Sequence, residues 1–81
     1  ILEINGQRVL ILDKLEEEDI GKKWNDIMDE YRGNAIVLST DQTDLEVGHY
    51  VEYWIDGEIA TSYPEQAKAK KIKVIEESTT N

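Results

Sequence analysis

The 81-residue chain contains no cysteine and no phenylalanine, one histidine, one proline, and half as many basic as acidic residues. Without cysteine the chain has no disulfide, no cysteine nucleophile and no cysteine-ligated zinc or iron–sulfur site. A single histidine gives little basis for a histidine-based metal site. No apolar run approaches the roughly 20 residues that cross a bilayer as a helix. The sequence therefore predicts no transmembrane segment.

The charge balance is strongly acidic. Nine Lys and Arg stand against 18 Asp and Glu, which gives a formal net charge of −9 at pH 7. Because phosphate backbones carry charge of the same sign, nucleic acid is disfavoured as a partner. The length fits one domain, which we place at residues 1–75 with a disordered C-terminal tail at residues 76–81.

Short strands and turns dominate the predicted secondary structure. The Asn-Gly pair at residues 5–6 predicts a tight hairpin turn between two apolar strands, because glycine supplies the positive φ of such a turn. The Asp-Gly pair at residues 56–57 predicts a second hairpin turn. Apolar residues 9–12 predict a strand that is covered on both faces. Further strands are predicted at residues 35–38, 50–55, 58–60 and 68–75, the last with Ile72 and Val74 facing inward.

One helix is predicted, over residues 20–32. Five apolar side chains recur there at helical spacing: Ile20, Trp24, Ile27, Met28 and Tyr31. Asp19 is placed to cap the first turn, and Gly33 is placed for a left-handed C-terminal cap. The whole pattern predicts a mainly β fold with one helix, as a small closed or partly open β-barrel. The spacing Leu45-x-Val47-Gly48-x-x-Val51 resembles a phrase of OB-fold domains, so we expect an OB-like barrel.

The second half of the chain resembles the YobA-like family of small exported Bacillus proteins of unknown function. The match rests on residues 35–39, on residues 47–57, and above all on the pattern Ser-Tyr-Pro-x-Gln-x-x-Ala at residues 62–69. The resemblance implies an OB-like barrel, export from a Gram-positive cell, often as a lipoprotein, and no assigned activity. The expected location is thus exported or at the cell surface, with lipid anchoring through a removed N-terminal segment as one form of it.

Four side chains form the candidate surface for a ligand or partner: Tyr50, Trp54, Tyr63 and Gln66. Tyr50 and Trp54 share one strand face, and with Tyr63 they could form a stacking platform for sugars or bases. Alternatively, the predicted helix covers that face and the rings belong to the core. Residues 62–66 are either a ligand loop at the barrel rim or a structural corner, in which Gln66 satisfies backbone groups.

Other polar clusters carry weaker hypotheses. The carboxylates at residues 13 and 16–19 could bind Ca²⁺, but they lack the ligand spacing of an EF-hand loop, so solvated acid near a helix N-terminus is preferred. His49 lies in no hydrolase signature, and spacing singles out no pair of carboxylates. We therefore predict no catalytic, cofactor-binding or metal-binding residue. Four basic residues either compensate the acidic segment 13–30, which is preferred given the net charge of −9, or form a weak anion or membrane-surface patch: Lys68, Lys70, Lys71 and Lys73.

The leading functional hypothesis is a non-enzymatic, exported β-barrel that acts as a binding or accessory module for a protein, peptide or glycan. It includes no cofactor. The alternative is an acidic inhibitor or immunity-type protein that blocks the substrate site of a basic enzyme. A hydrolase is the third hypothesis. The sequence leaves the ligand and the oligomeric state open.

Overall fold

The computed structural model describes residues 1–75, which form five strands and two short helical turns. In chain order the elements are β1 Glu3–Asn5, β2 Arg8–Leu12, a 3-10 turn Glu17–Asp19, α1 Trp24–Ile27, β3 Ala35–Ser39, β4 Tyr50–Ala60 and β5 Glu65–Ile75. The tail predicted at residues 76–81 lies outside the described residues. Within residues 1–75, no helix has the length and apolar character needed to cross a membrane.

The strands form one sheet in the order β1-β2-β3-β5-β4. All neighbours are antiparallel except β3 and β5, which run parallel. An OB-fold barrel has this order and closes when its first strand also pairs with β4. Here two backbone hydrogen bonds join Ile1 to the two residues that precede β4. One runs from Gly48 N to Ile1 O (2.9 Å) and the other from Ile1 N to His49 O (2.7 Å). The mainly β prediction is confirmed, and the sheet formed by residues 1–75 is not closed, which fits the partly open form of the predicted barrel.

Side chains cover β2 on both faces. Val9 and Ile11 belong to one buried cluster, together with Leu38 and Ile72 inside the curved sheet. The alternate β2 residues belong to a second cluster on the opposite face, whose buried members are Leu2, Leu10, Leu12, Trp24 and Ala35. The segment between β2 and β3 supplies Trp24 and so covers that face. The prediction of a strand buried on both sides is confirmed.

The helix predicted over residues 20–32 is wrong in extent, because only Trp24–Ile27 is α-helical. Asp19 does not cap it: the N-cap residue is Lys23, which makes no side-chain cap hydrogen bond. Instead, Glu3 Oε2 of β1 accepts a hydrogen bond from Trp24 N at 2.6 Å. The carboxylate that satisfies the helix N-terminus thus comes from a strand and not from the preceding turn.

Packing contacts of individual side chains with the rest of the fold, and not a continuous helix, explain the apolar spacing of residues 20–32. Trp24 is buried, whereas Ile20 and Met28 are exposed. The Trp24 and Tyr31 rings meet edge to face with 5.8 Å between their centroids. Gly33 does not have the positive φ of a left-handed cap. A β-carbon at Gly33 would instead overlap the Asp13 carboxylate and the Tyr31 hydroxyl, so close approach is what requires glycine there.

The first hairpin is present, with its turn one residue later than predicted. Asn5 pairs with Arg8, so the two turn residues are Gly6 and Gln7. Gly6 has a φ of 63° and supplies the left-handed conformation at the first turn position. Gly6 is therefore the residue of the Asn-Gly pair that marks the turn, and Asn5 belongs to β1.

The second hairpin turn, predicted at residues 56–57, is wrong. β4 continues through these residues to Ala60, and the connection to β5 falls at residues 61–64. Gly57, with a φ of 90°, lies where the register with β5 shifts between Asp56 and Ala60. Positive φ serves a β-bulge here, because a bulge can use the same glycine conformation as a hairpin turn. The predicted strands 50–55 and 58–60 are one strand.

Candidate functional site

A cleft of about 490 Å³ lies between the β2–β3 part of the sheet and the first half of β4. Part of its wall is apolar, from Ile11, Leu12, Leu15, Ile36, Val51 and Ile75. Six polar residues also line it: Asp13, Asn34, His49, Tyr50, Tyr53 and Glu65. An apolar wall with a few converging polar groups is the usual character of a binding site in a small protein.

The sheet topology brings the two cleft carboxylates to one edge. Asp13 follows directly after β2, and Glu65 is the first residue of β5. β3 lies between these strands: Leu12 pairs with Ala35, and Glu65 pairs with Ile36. Because β3 and β5 are parallel, β5 begins beside the start of β3, where antiparallel β2 ends. Two carboxylates far apart in sequence therefore line the same cleft.

The pKa of Tyr53 depends on both carboxylates. Burial raises the pKa of the Tyr53 hydroxyl, and the negative charges of Glu65 and Asp13 raise that pKa further. The hydroxyl therefore stays protonated near neutral pH and remains a hydrogen-bond donor. The cleft thus combines two negative charges with one neutral donor, which is a favourable environment for a cationic group.

Hydrogen bonds hold the Asp13 carboxylate in place. It accepts from Asn34 N at 2.8 Å, Asn34 Nδ2 at 3.1 Å and the Tyr31 hydroxyl at 2.9 Å. The bonds from the Asn34 backbone and Tyr31 lower the pKa of Asp13. The Tyr31 hydroxyl also accepts from Lys14 N at 3.0 Å, and burial raises the pKa of Tyr31 to about 12. Asp13 therefore stays ionised while it ties the two ends of the 13–34 segment together.

The four residues proposed from the sequence do not converge on one site. Tyr50 and Trp54 lie four residues apart on one face of β4, roughly 13 Å along the strand, and both are exposed. Neither belongs to a core cluster, so the interpretation that the helix covers them is wrong. Lys71 Nζ lies 5.4 Å from the centre of the Trp54 ring. Tyr50 also lines the cleft, so it is the one candidate residue that belongs both to the exposed face of β4 and to the cleft.

Tyr63 and Gln66 lie near the β4–β5 turn. The Tyr63 ring meets Trp24 edge to face with 5.7 Å between centroids, and its hydroxyl donates to Gly33 O at 3.2 Å. Ser62 Oγ donates to Pro64 O at 2.7 Å. The side-chain hydrogen bonds at this turn thus come from Ser62 and Tyr63 and not from the exposed Gln66. Tyr63 connects the turn to the 13–34 segment, away from the exposed Tyr50 and Trp54 rings.

The lysines of β5 lie beside β4. Lys73 pairs in register with Glu52, Lys71 with Trp54, and Lys68 with Asp56. The one ion pair within 4.0 Å among residues 1–75 joins Lys22 to Asp19, so these lysines form no direct pair with the acidic segment. Residues 1–75 also bring together no group of three or more metal-ligating side chains.

Sequence reasoning missed Asp13, Tyr53 and Glu65 as a group. In the sequence, Asp13 belongs to an acidic run for which solvation is the expected state, and Glu65 is the variable position of the 62–69 pattern. One signal was available: Tyr53 is a polar-tipped side chain on the strand face that also carries Val51 and Ile55, and such a hydroxyl needs a polar environment.

Comparison with known proteins gives a family and no individual relative. No curated protein and no solved structure matches the chain. The family described as "Protein of unknown function (DUF3221)" matches residues 1–76, which includes the first hairpin and the 13–34 segment that the YobA-like resemblance did not cover. Since this match spans nearly the whole sequence, the chain belongs to the DUF3221 family.

Proposed function

We propose that this domain is a non-enzymatic binding or accessory module whose cleft receives a basic side chain of a protein or peptide partner. The observation that carries the proposal is the joint presence of Asp13 and Glu65 with the Tyr53 hydroxyl in a cleft with apolar walls. Lysine and arginine have an apolar stem and a cationic head, so both parts of such a side chain find a matching surface. A net charge of −9 adds long-range attraction for a basic partner.

The non-enzymatic part of the proposal rests on the pKa directions. A general acid or base works best when its pKa lies near the working pH. The pKa of Asp13 is lowered and that of Tyr53 is raised, so both move away from neutrality. Asp13 is also held by three hydrogen bonds. Hydrolase chemistry, the third hypothesis, gains no support from these groups.

Side-chain analogues provide the test of the cleft. We expect N-acetyl-arginine amide and N-acetyl-lysine amide to shift the NMR signals of Asp13, Tyr53 and Glu65, whereas the uncharged N-acetyl-norleucine amide leaves them in place. Glu65→Gln weakens this response. Glu18→Gln removes the same charge from an exposed position outside the cleft and serves as the matched control. Equal responses to arginine and norleucine, or equal effects of the two variants, would refute the cleft as a cation site.

An inhibitor or immunity-type role is the second candidate, and the acidic composition of β4 favours it. Glu52, Asp56 and Glu58 are all exposed there, and this strand contains no basic residue. Such a role needs tight binding to a basic enzyme. A nanomolar complex with a basic nuclease or hydrolase, with affinity that falls steeply as salt rises, would identify it. Inhibition of that enzyme in the same titration separates it from simple binding.

A binding module for a glycan, instead of a protein or peptide, would use Tyr50 and Trp54. Exposed rings on a strand are suited to stacking against a sugar face. A soluble chitooligosaccharide that shifts the Trp54 indole signal, while leaving that of buried Trp24 in place, would favour this form over a basic partner.

The exported location implied by the YobA-like resemblance belongs to the same proposal. Recovery of the native protein in the cytoplasmic fraction would contradict it.

A further inference from the structure

We propose that a β-bulge in β5 creates a second binding surface, at which Lys70 and Lys71 bind the carboxylate of an acidic sugar and Trp54 packs against its ring. We call these three residues the bulge surface. Its occupant is an acidic polysaccharide, a chain of sugars that carry carboxylate groups. None of the three residues lines the cleft, so the proposal goes beyond the proposed function and does not depend on it.

The bulge changes which side of the sheet the lysines of β5 face. Lys71 pairs with Trp54, whereas Ala69 pairs with the next residue of β4. Lys70 is therefore an extra residue without a partner on β4. The β5 side chains that belong to the inner core or pack against it fall at positions 67, 69, 72 and 74, with one longer step at the bulge. Both lysines in that step are exposed, whereas a regular strand would turn one of them toward the core.

The positive charge of the outer face is concentrated at the bulge. The other two lysines of β5 each lie opposite a carboxylate of β4, in the register pairs Lys68–Asp56 and Lys73–Glu52. Lys70 and Lys71 have no carboxylate opposite them. The one ion pair within 4.0 Å among residues 1–75 lies in another segment, between Lys22 and Asp19. Two adjacent ammonium groups are therefore placed to bind an external anion.

Trp54 gives the bulge surface a flat apolar part. Lys71 Nζ lies 5.4 Å from the centre of the Trp54 ring. The Trp54 side chain is nevertheless 45% exposed, so it offers contact area to a ligand beside the ammonium group. A sugar ring can pack on this aromatic surface while a carboxylate on the same sugar binds the lysines. An exposed aromatic ring next to two lysines thus fits an anion that carries a ring.

The net charge narrows the kind of anion. With a net charge of −9, the protein repels broad anionic objects such as a membrane surface or a DNA duplex. Exposed charges more than about 8 Å apart are largely screened at physiological salt, so a narrow ligand interacts mainly with the charges nearest to it. A single polysaccharide chain is narrow and carries one carboxylate on each ring. It therefore meets the local charge of Lys70 and Lys71 more than the net charge of the protein.

Hexagalacturonate, added to the full chain, is the probe of the bulge surface. We expect it to shift the NMR signals of the Trp54 indole and of the Lys70 and Lys71 amides, while leaving the indole signal of buried Trp24 in place. Maltohexaose has rings without carboxylates, and hexaglutamate has carboxylates without sugar rings. We expect each of these to bind about tenfold more weakly or worse. Equal affinity for either control ligand would overturn the acidic-sugar proposal.

Three double variants test the position of the site, and all the substituted lysines are exposed. Lys70→Gln with Lys71→Gln should weaken hexagalacturonate binding about fivefold or more. Two control pairs remove the same charge elsewhere and should weaken binding less: Lys68→Gln with Lys73→Gln on the same strand, and Lys22→Gln with Lys23→Gln in the 13–34 segment. Equal weakening by either control pair would overturn the bulge as the site.

Trp54→Leu separates contact with the ring from attraction by charge. The variant keeps an apolar side chain but loses the flat aromatic surface. We expect it to weaken binding of hexagalacturonate and to leave binding of hexaglutamate unchanged. Unchanged binding of both ligands would overturn the role of Trp54 in the bulge surface.

The outcomes separate this inference from the cleft proposal. Glu65→Gln should not weaken hexagalacturonate binding, and the Lys70, Lys71 double variant should leave the response of the cleft to N-acetyl-arginine amide unchanged. A response to the arginine analogue without binding of hexagalacturonate supports the cleft and overturns the bulge surface, and the reverse result overturns the cleft alone. Tighter binding to phosphatidylglycerol vesicles or to oligothymidine than to hexagalacturonate would identify a membrane or a nucleic acid as the partner and overturn the acidic polysaccharide.

Discussion

β2 and β3 bury most of their side chains, whereas β4 and β5 bury almost none. Four of the five residues of β2 and three of the five residues of β3 are buried. None of the 11 residues of β4 is buried, and in β5 only Ile72 is. The difference arises because the 13–34 segment covers the outer face of the first strands, while the outer face of the long ribbon of β4 and β5 is open.

This contrast separates the part of the sheet that stabilises the fold from the part that is free to bind. Substitutions in β2 and β3 remove packed apolar surface, which is the main source of stability in a domain of this size. Outward-facing residues of β4 can change at little cost to stability. The ribbon is therefore where binding residues can vary without loss of the fold.

Leu38→Ala has the largest expected effect. Leu38 is 0% exposed, so the substitution leaves a cavity and should lower the free energy of unfolding by about 2–5 kcal/mol. Trp54→Ala is the matched change on the ribbon. Trp54 is 45% exposed and loses mainly its contact with Lys71, so we expect a loss below about 1 kcal/mol. Urea unfolding followed by circular dichroism measures both, and similar losses would contradict the division of the sheet.

Gly33→Ala should follow, with a loss of about 1–3 kcal/mol from overpacking against Asp13 and Tyr31. The same substitution in a Tyr31→Phe background should cost less, because the hydroxyl that the new methyl group meets is gone. Thermal unfolding of the four chains gives the coupling between the two positions. An equal cost of alanine in both backgrounds would mean that Gly33 is required for another reason.

Asp13→Asn tests the pH dependence of stability. Hydrogen bonds lower the pKa of Asp13 below 3.8, so its carboxylate stabilises the folded state above that pH, and this contribution disappears as pH falls through the folded pKa. We expect Asp13→Asn to be less stable than the native chain at pH 7 and the difference to shrink progressively below pH 3.8. A difference that stays constant with pH would exclude the charge of Asp13 as its cause.

Glu65→Gln should have the smallest effect, a decrease in the pKa of Tyr53 without loss of the fold. Burial contributes most to the raised pKa, so the value should remain above the ordinary 10.0 after the charge of Glu65 is removed. Glu58→Gln, at an exposed site outside the cleft, should leave the Tyr53 titration unchanged. NMR signals of the Tyr53 ring report both. An unaltered pKa in Glu65→Gln would place Glu65 and Tyr53 in different environments.

Local patterns predicted the strands well, because each strand depends on its own alternation. The inward position of Ile72 and the two-sided burial of β2 followed from apolar spacing alone. The two glycine turn signals show the limit of local patterns. Gly6 forms a turn while Gly57 forms a bulge, and both use positive φ. Only the pairing of β4 with β5 distinguishes them, and pairing is not a local property.

The 13–34 segment and the cleft could not be derived from spacing. Trp24 and Tyr31 recur at helical intervals because each contacts the rest of the fold, and Glu3 of β1 supplies the hydrogen bond at the helix N-terminus. Asp13 and Glu65 share a cleft because β3 pairs with both neighbouring strands. These contacts depend on which strands become neighbours, and a single sequence contains no direct record of that.

Hydrogen exchange of the free chain tests the comparison of the two regions most directly. β3 is paired on both sides, so its amides should exchange slowly along the strand. β4 is paired on one side, so slow and fast amides should alternate from Tyr50 to Trp54, where its register with β5 is regular. Uniform protection along this part of β4 would show that its outer edge is covered and would contradict its pairing with β5 alone within residues 1–75.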